Sequence, residues 1–135
     1  MNFRQFELSD FDGVIVLWKK AGLILSQSDT LSGLKKKLNC DPELFFIAEE
    51  DSCIIGVVMG SYDGRRGWIN HLAVDPGYQG RKIGQKMVEE LEQLLKNKGC
   101  DKVNLLIELS NDKVEHFYEK QGYQRDDLIF MEKWI

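Results

Sequence analysis

The stretch from Leu72 to Gln85, Leu-Ala-Val-Asp-Pro-Gly-Tyr-Gln-Gly-Arg-Lys-Ile-Gly-Gln, limits the possible folds more than any other, because in it an apolar strand stops at a turn and a helix begins. The first N–H groups of a helix have no intrahelical acceptor and sit at the positive end of its dipole, so such a junction suits a phosphate or diphosphate. Gly80 and Gly84 let a ligand approach the main chain closely. Arg81 and Lys82 are cations where the dipole disfavours them, by roughly 0.3 to 1 kcal/mol each, and a bound anion reverses that penalty. The other reading of the same pair is two solvated charges in a loop.

The rest of the chain falls into strands and helices around this junction. Residues 2 to 8 alternate as a short strand does. Ser9 and Asp10 offer an N-cap, and Phe11, Val14, Ile15 and Trp18 recur at helical spacing up to Gly22. A second helix follows Asp29 or Thr30, with Leu31, Leu34 and Leu38 on one stripe and Lys35, Lys36 and Lys37 mostly on a solvated face, until Asp41-Pro42 ends it. Leu44 to Ala48 and Cys53 to Ser61 read as an antiparallel hairpin across a polar turn. Gly56 and Gly60 in its second strand either mark bulges or make room for a neighbour. After the Tyr62 to Gly67 turn, Trp68 to Val74 forms the next strand, closed by Asp75-Pro76-Gly77.

The longest helix follows Gly80, with Ile83, Met87, Val88, Leu91, Leu94 and Leu95 as its buried stripe and Gly99 at its C′ position. Val103 to Leu109 reads as a central strand, parallel to 68–74 through a right-handed crossover. Ser110, Asn111 or Asp112 caps a last helix that runs through Gln121, and 123–126 with 128–134 form a closing hairpin turning near Asp127. The expected fold is α/β: a mixed central sheet, antiparallel at first with one parallel strand pair, flanked by helices.

The 135 residues carry no repeat, linker or low-complexity segment, so residues 1–135 read as one domain. A formal charge of −4 speaks against a nucleic-acid partner, which normally requires a basic face. Cys40, Cys53 and Cys100 are widely spaced and suggest neither a disulfide framework nor a metal site; they read as reduced, buried thiols. No apolar run is long enough to span a bilayer, and Arg4, Glu7 and Asp10 break up any signal-like opening, so the expectation is a soluble cytoplasmic protein with no membrane partner.

The order of elements and two local signatures resemble the GNAT superfamily of N-acetyltransferases. Gln79-Gly80-Arg81-Lys82-Ile83-Gly84 is similar to the family's Q/R-x-x-G-x-G/A at Gln79 and Gly84, with Lys82 in the place of the first motif glycine. A lysine there is tolerable if its φ stays negative. Asn111, followed by Phe117-Tyr118-Glu119-Lys120-Gln121-Gly122-Tyr123, is similar to N-x-x-A-x-x-F/L-Y-E-K-x-G-F/Y. The two motifs cover about half the chain, in the right order.

The resemblance implies an enzyme that moves the acetyl group of acetyl-CoA to a primary amine of a small molecule or protein, without a metal, by direct attack in a ternary complex. It implies that strands 68–74 and 103–109 splay at the cofactor site. The pantetheine arm would then lie along the backbone of Leu72, Ala73 and Val74, and the diphosphate on Gln79, Gly80, Arg81, Lys82, Ile83, Gly84 and Gln85. It gives Tyr118 the role of protonating, or hydrogen-bonding to, the departing sulfur, although Val114, Phe117, Tyr118 and Gln121 also make an ordinary core stripe. Asn111 is either a pantetheine contact or an N-cap, and Phe117 a wall beside the coenzyme.

The base is open. Asn70 stands where many relatives carry glutamate and can only orient a water; His71 alternates to the face opposite Asn70 and Leu72 and reads as a satisfied histidine; Glu108 reads as solvated and His116 as exposed. Two alternatives remain, a catalytically inactive coenzyme-binding or regulatory module of the same fold and an unrelated binder of small phosphate ligands. The state is monomer or homodimer, with Trp134 placed to bury against a second subunit.

Overall fold

The computed structural model describes the backbone of residues 1–135 and every side chain except that of Asp112. Strand β1 (Asn2–Gln5) leads into helices α1 (Phe11–Lys20) and α2 (Leu31–Leu38), then β2 (Phe45–Glu50), β3 (Cys53–Tyr62) and β4 (Gly67–Val74). Helix α3 (Ile83–Asn97), strand β5 (Val103–Leu105) and helix α4 (Asp112–Glu119) follow. The sheet is five-stranded in the order β1-β2-β3-β4-β5; its neighbours are antiparallel except β4 and β5, which are parallel. The mixed sheet inferred from the sequence is therefore present. Among the described residues no helix is long and apolar enough to cross a membrane.

Alternation along the strands sends side chains to two cores. Leu44, Phe46, Ala48, Val58 and Ile69 face α3, whose Ile83, Met87, Val88, Leu91 and Leu95 are all buried against them. Phe45, Ile47, Val57 and Ala73 face the other way, onto Val14, Leu17 and Trp18 of α1 and Leu34 of α2. Each such side chain contributes about 1.5 to 3 kcal/mol of burial, so the α3 stripe is a main source of stability. Thr30 starts α2 by accepting the Gly33 N–H on Oγ1 at 3.0 Å.

Gly56 and Gly60 are places of close approach: a Cβ at Gly60 would lie 2.6 Å from Leu91 Cδ1, and one at Gly56 2.7 Å from Met87 Sδ. The sheet lets α3 sit that near only because those positions are bare. A bulge does occur in β3, where Ala48 pairs with Gly56 and Glu49 with Ile54.

Four expectations are corrected. The parallel strand shrinks from 103–109 to Val103–Leu105, and it lies at the sheet edge rather than in the centre. Residues 123–134 form no hairpin. Leu128, Ile129, Phe130 and Met131 run four apolar residues together without alternation, so no register gives them one buried face, and all four are exposed. Trp134, for which the sequence suggested burial against a second subunit, is 56% exposed in the single chain, which does not bear on that expectation. Of the cysteines only Cys100 is buried; Cys40 and Cys53 lie at the surface beside turns.

Arg4 ties β1 to its surroundings. Its guanidinium donates to Asp10 Oδ2 and Oδ1, both at 2.9 Å, and to Glu49 Oε2 at 3.0 Å, while Asp10 also accepts the Glu7 N–H at 2.9 Å. The Arg4 hydrogen bonds hold the Asp10 carboxyl below its ordinary range. A depressed carboxylate stabilises the fold above the unfolded carboxyl pKa and loses that contribution as pH falls through the folded value.

Urea melts followed from pH 7 down to pH 3 are therefore expected to show a stability loss that is smaller in Asp10→Asn, which has no proton to take up. Leu91→Ala is expected to lower stability by about 2 to 5 kcal/mol in urea melts at pH 7, whereas exposed Val16→Ala is expected to stay within about 0.5 kcal/mol of the parent.

Candidate active site between parted strands

Strands β4 and β5 pair only from Gly67 to Ile69 and from Val103 to Leu105. Beyond that point β4 continues to Val74 along β3 alone, so the edge of Asn70 to Val74 that faced β5 is unpaired. The strands part because β4 bulges. Met59 pairs with Asn70 and Val57 with Ala73, which leaves one more residue on β4 than on β3. The extra residue is accommodated at His71, whose φ is +37°, a value that costs a non-glycine residue about 1 to 3 kcal/mol.

The bulge corrects the alternation expected for His71. Ile69 and Leu72 both pack into the α3 core, so Asn70 and His71 share the opposite side, toward α1 and α2. There the His71 ring lies edge-on to Trp18 at 4.9 Å between centroids, and Trp18 Nε1 donates to the His71 carbonyl at 3.3 Å. His71 Nε2 sits 3.0 Å from each oxygen of Asp29, a carboxylate only 3% exposed that also accepts the Ser26 N–H at 2.7 Å. His71 is thus satisfied at one nitrogen, as the sequence suggested, but on the other face. Asn70 makes one bond, to Ser61 Oγ at 3.4 Å.

At the far end of β4 the turn is held by Asp75, which accepts the Gly77 N–H at 2.8 Å and pairs with Lys20 at 3.0 Å. After a short 3-10 turn over Pro76–Tyr78, Gly80 takes φ +85° and Lys82 takes φ +59° as the N-cap of α3. The lysine in the motif's glycine place therefore does not keep a negative φ. It adopts the left-handed backbone that glycine would adopt freely, because α3 must turn away from the strand there. The earliest bond of the helix runs from Lys86 N–H to Lys82 O, so the amides of Ile83, Gly84 and Gln85 have no acceptor within the helix.

The charges at this end differ from expectation as well. Arg81 forms a two-pronged pair with Glu50, at 2.8 and 2.7 Å, and lies 5.4 Å from the centre of the Tyr78 ring. Its hydrogen bonds hold the Glu50 carboxyl below its usual range. Arg81 is therefore a neutralised cation at the surface. Gln79 is exposed, and Gln85 Nε2 donates to Glu89 along the helix at 2.8 Å. A Cβ at Gly84 would lie 3.2 Å from Phe117 Cζ and 3.5 Å from Val74 Cγ2, so Val74, Gly84 and Phe117 meet at one point.

Tyr118 is buried at 6% exposure between Phe117 and Tyr123, with ring centroids at 5.0 and 5.5 Å. Burial pushes its phenol well above the ordinary value. Asn111 holds the N-cap position of α4 without a capping side-chain bond. Glu108 and His116 are exposed.

An open trough of about 1940 Å³ lies beside β5; Leu105, Tyr118, Leu128 and Ile129 line it, and no residue from Asn70 to Gln85 does. Among the described residues no cluster of His, Cys, Asp or Glu is placed to hold a metal ion. From the sequence Asp29 reads only as a candidate helix start and Trp18 only as a core position. Nothing local marks them, since their partner stands on β4.

Parted parallel strands leading to bare helix amides define a mixed α/β protein with unpaired main chain at the strand ends. Residues 15–123 match the model of the acetyltransferase (GNAT) family. A protein of Yersinia enterocolitica named as an acetyltransferase is 41% identical over 98% of this chain and 94% of its own length. One of Sodalis glossinidius, also named as an acetyltransferase, is 39% identical over 97% and 92%. The chain belongs to the GNAT acetyltransferase family, and its enzyme class is that of the N-acetyltransferases. Among solved structures, the PaiA N-acetyltransferase of Thermoplasma acidophilum in complex with coenzyme A superposes with a TM-score of 0.80 at 22% identity, covering 95% of this chain and 92% of its own. The glucosamine-6-phosphate N-acetyltransferase of Arabidopsis thaliana gives 0.69 at 26% identity, covering 98% and 97%.

Backbone strain at the turn makes a prediction independent of ligand. Lys82→Gly is expected to raise stability by up to about 1 kcal/mol, and Gly80→Ala to lower it by about 1 to 2 kcal/mol, in thermal melts of the protein alone.

Proposed function

We propose that the protein transfers the acetyl group of acetyl-CoA to a primary amine by direct attack in a ternary complex. The observation that carries the reading is the opening between β4 and β5, unpaired from Asn70 to Val74 and ending at the bare amides of Ile83, Gly84 and Gln85. The residues fit the coenzyme, since the amides of Ile83, Gly84 and Gln85 have no acceptor in the helix and a Cβ at Gly80 would meet nothing within 4 Å, so the main chain there is open to a diphosphate.

In this reading the free backbone edge of Leu72, Ala73 and Val74 offers donors and acceptors to the amides of the pantetheine arm. The amides of Gly80 to Gln85 hold the diphosphate, aided by the dipole of α3 and by Lys82; Arg81 stays with Glu50. Phe117 walls the arm where it passes Gly84, and Asn111 reaches it from the start of α4. Acetyl-CoA, when bound, supplies the acyl group as an activated thioester. A thiol titrates near ~8.5, so the leaving sulfur gains from a proton donor. The raised phenol of Tyr118 keeps its proton at neutral pH and serves as that donor. Orientation in the opening does the remaining work, by setting amine and thioester in line.

Asn70, which cannot act as a base, favours a second reading, a coenzyme-binding module without turnover. Titration calorimetry and thiol release over a panel of amines separate the two. Acetyl-CoA is expected to bind, and at least one amine to release thiol. Tyr118→Phe is expected to lower kcat about 10²-fold or more while leaving acetyl-CoA affinity unchanged. Binding without turnover on any amine favours the module, and unchanged kcat in Tyr118→Phe removes the tyrosine from the mechanism.

A further inference from the structure

Four constraints converge on one imidazole at the point where the strands part. The His71 backbone is held at φ +37°, its carbonyl is fixed by Trp18 Nε1, its ring stands edge-on to the Trp18 indole, and its Nε2 faces both oxygens of Asp29. Strain of this kind persists only where the surroundings over-determine it, and it concentrates at sites that do chemistry. Asp29 is unusual in the same way. Its carboxylate is 3% exposed, and the one side chain bonded to it is His71. A carboxylate only accepts, so one that faces Nε2 selects the tautomer with its proton on that nitrogen and the lone pair on Nδ1. The His71 side chain is 27% exposed, and its residue lies within the unpaired edge from Asn70 to Val74.

We propose that His71, oriented by Asp29, is the general base that takes the proton from the acceptor amine. The inference rests on the acetyltransferase reading above and adds to it the group that Asn70 cannot supply. In the step, the nitrogen of the neutral amine bonds to the acetyl carbonyl carbon and the C–S bond breaks. The proton lost by nitrogen goes to His71 Nδ1, and the departing sulfur takes the proton of Tyr118. Solvent then removes the proton from His71 and restores that of Tyr118. His71 is the catalytic residue, because it touches the reacting amine; Asp29 is a positioning residue, because it acts through the ring.

The electrostatic setting is simple. Asp29, from the segment before α2, is the charged group bonded to the ring; α1 presents the neutral Trp18, and its Lys20 is engaged by Asp75. From β3, Ser61 is neutral and bonded to Asn70.

The test combines a spectroscopic and a kinetic readout on the full chain. The sequence has two histidines, so ¹⁵N-histidine spectra of the protein and of His71→Asn assign His71 without ambiguity. Asparagine tolerates positive φ and preserves the bulge. The expected spectrum shows the His71 ring proton on Nε2 and a free Nδ1, and Asp29→Asn is expected to mix the two tautomers. A ring carrying its proton on Nδ1 overturns the proposal, whether or not any amine turns over.

Thiol release is then measured with acetyl-CoA and spermidine, lysine, glucosamine 6-phosphate, an aminoglycoside and a peptide with a free N-terminus. His71→Asn is expected to lower kcat about 10² to 10⁴-fold and to abolish the acid limb of the pH–rate profile, with acetyl-CoA affinity within about threefold of the parent. Asp29→Asn is expected to lower kcat about tenfold or more, and Asp29→Glu to restore part of it. A full rate with the acid limb intact in His71→Asn overturns the proposal. Failure of the parent itself to bind acetyl-CoA overturns the acetyltransferase reading instead, so the two failures are distinct.

Discussion

The parting of β4 from β5 after Ile69 and Leu105 is the constraint on which the rest of the structure depends. A parallel pair held together along its whole length would leave no free main chain at the strand ends. Here the extra residue at His71 turns β4 while its bonds to β3 resume at Ala73. The backbone is thereby kept in the sheet on one side and released on the other. The cost of the positive φ is met by a buried carboxylate, an indole N–H and the packing of Trp18, all on the α1 and α2 side.

Two cores divide the labour. The α3 core sets the helix hard against the sheet through Gly56, Gly60 and Gly67, whose missing side chains admit Met87, Leu91 and Leu95. That fixes where the first turn of α3, and with it the bare amides of Ile83 to Gln85, stands relative to the end of β4. The α1 and α2 core carries Trp18 and Asp29 to the bulge. Each core thus positions one part of the strand end, the bare amides of α3 from one side and the His71 ring from the other.

The periodic features were legible in the sequence. The α3 stripe, the β2–β3 hairpin, the parallel pairing and the Thr30 cap all follow from spacing that reports local geometry directly. Val74, Gly84 and Phe117 were named from motifs, and the structure brings them together. What could not be read were the features set by partners distant in sequence. Nothing near His71 announces that the strand bulges there, so strict alternation put the ring on the wrong face. Nothing near Arg81 announces Glu50 across the molecule, so two cations were counted where one is neutralised. The four consecutive apolar residues from Leu128 were read as a strand on composition, although they lack the alternation that a strand face requires.

A crystal structure of the chain with coenzyme A should show the diphosphate within about 3 Å of the amides of Ile83, Gly84 and Gln85, with the thiol end between His71 and Tyr118. Phosphates found instead in the trough beside β5, or no ordered coenzyme between the strands at saturating concentration, would contradict that placement.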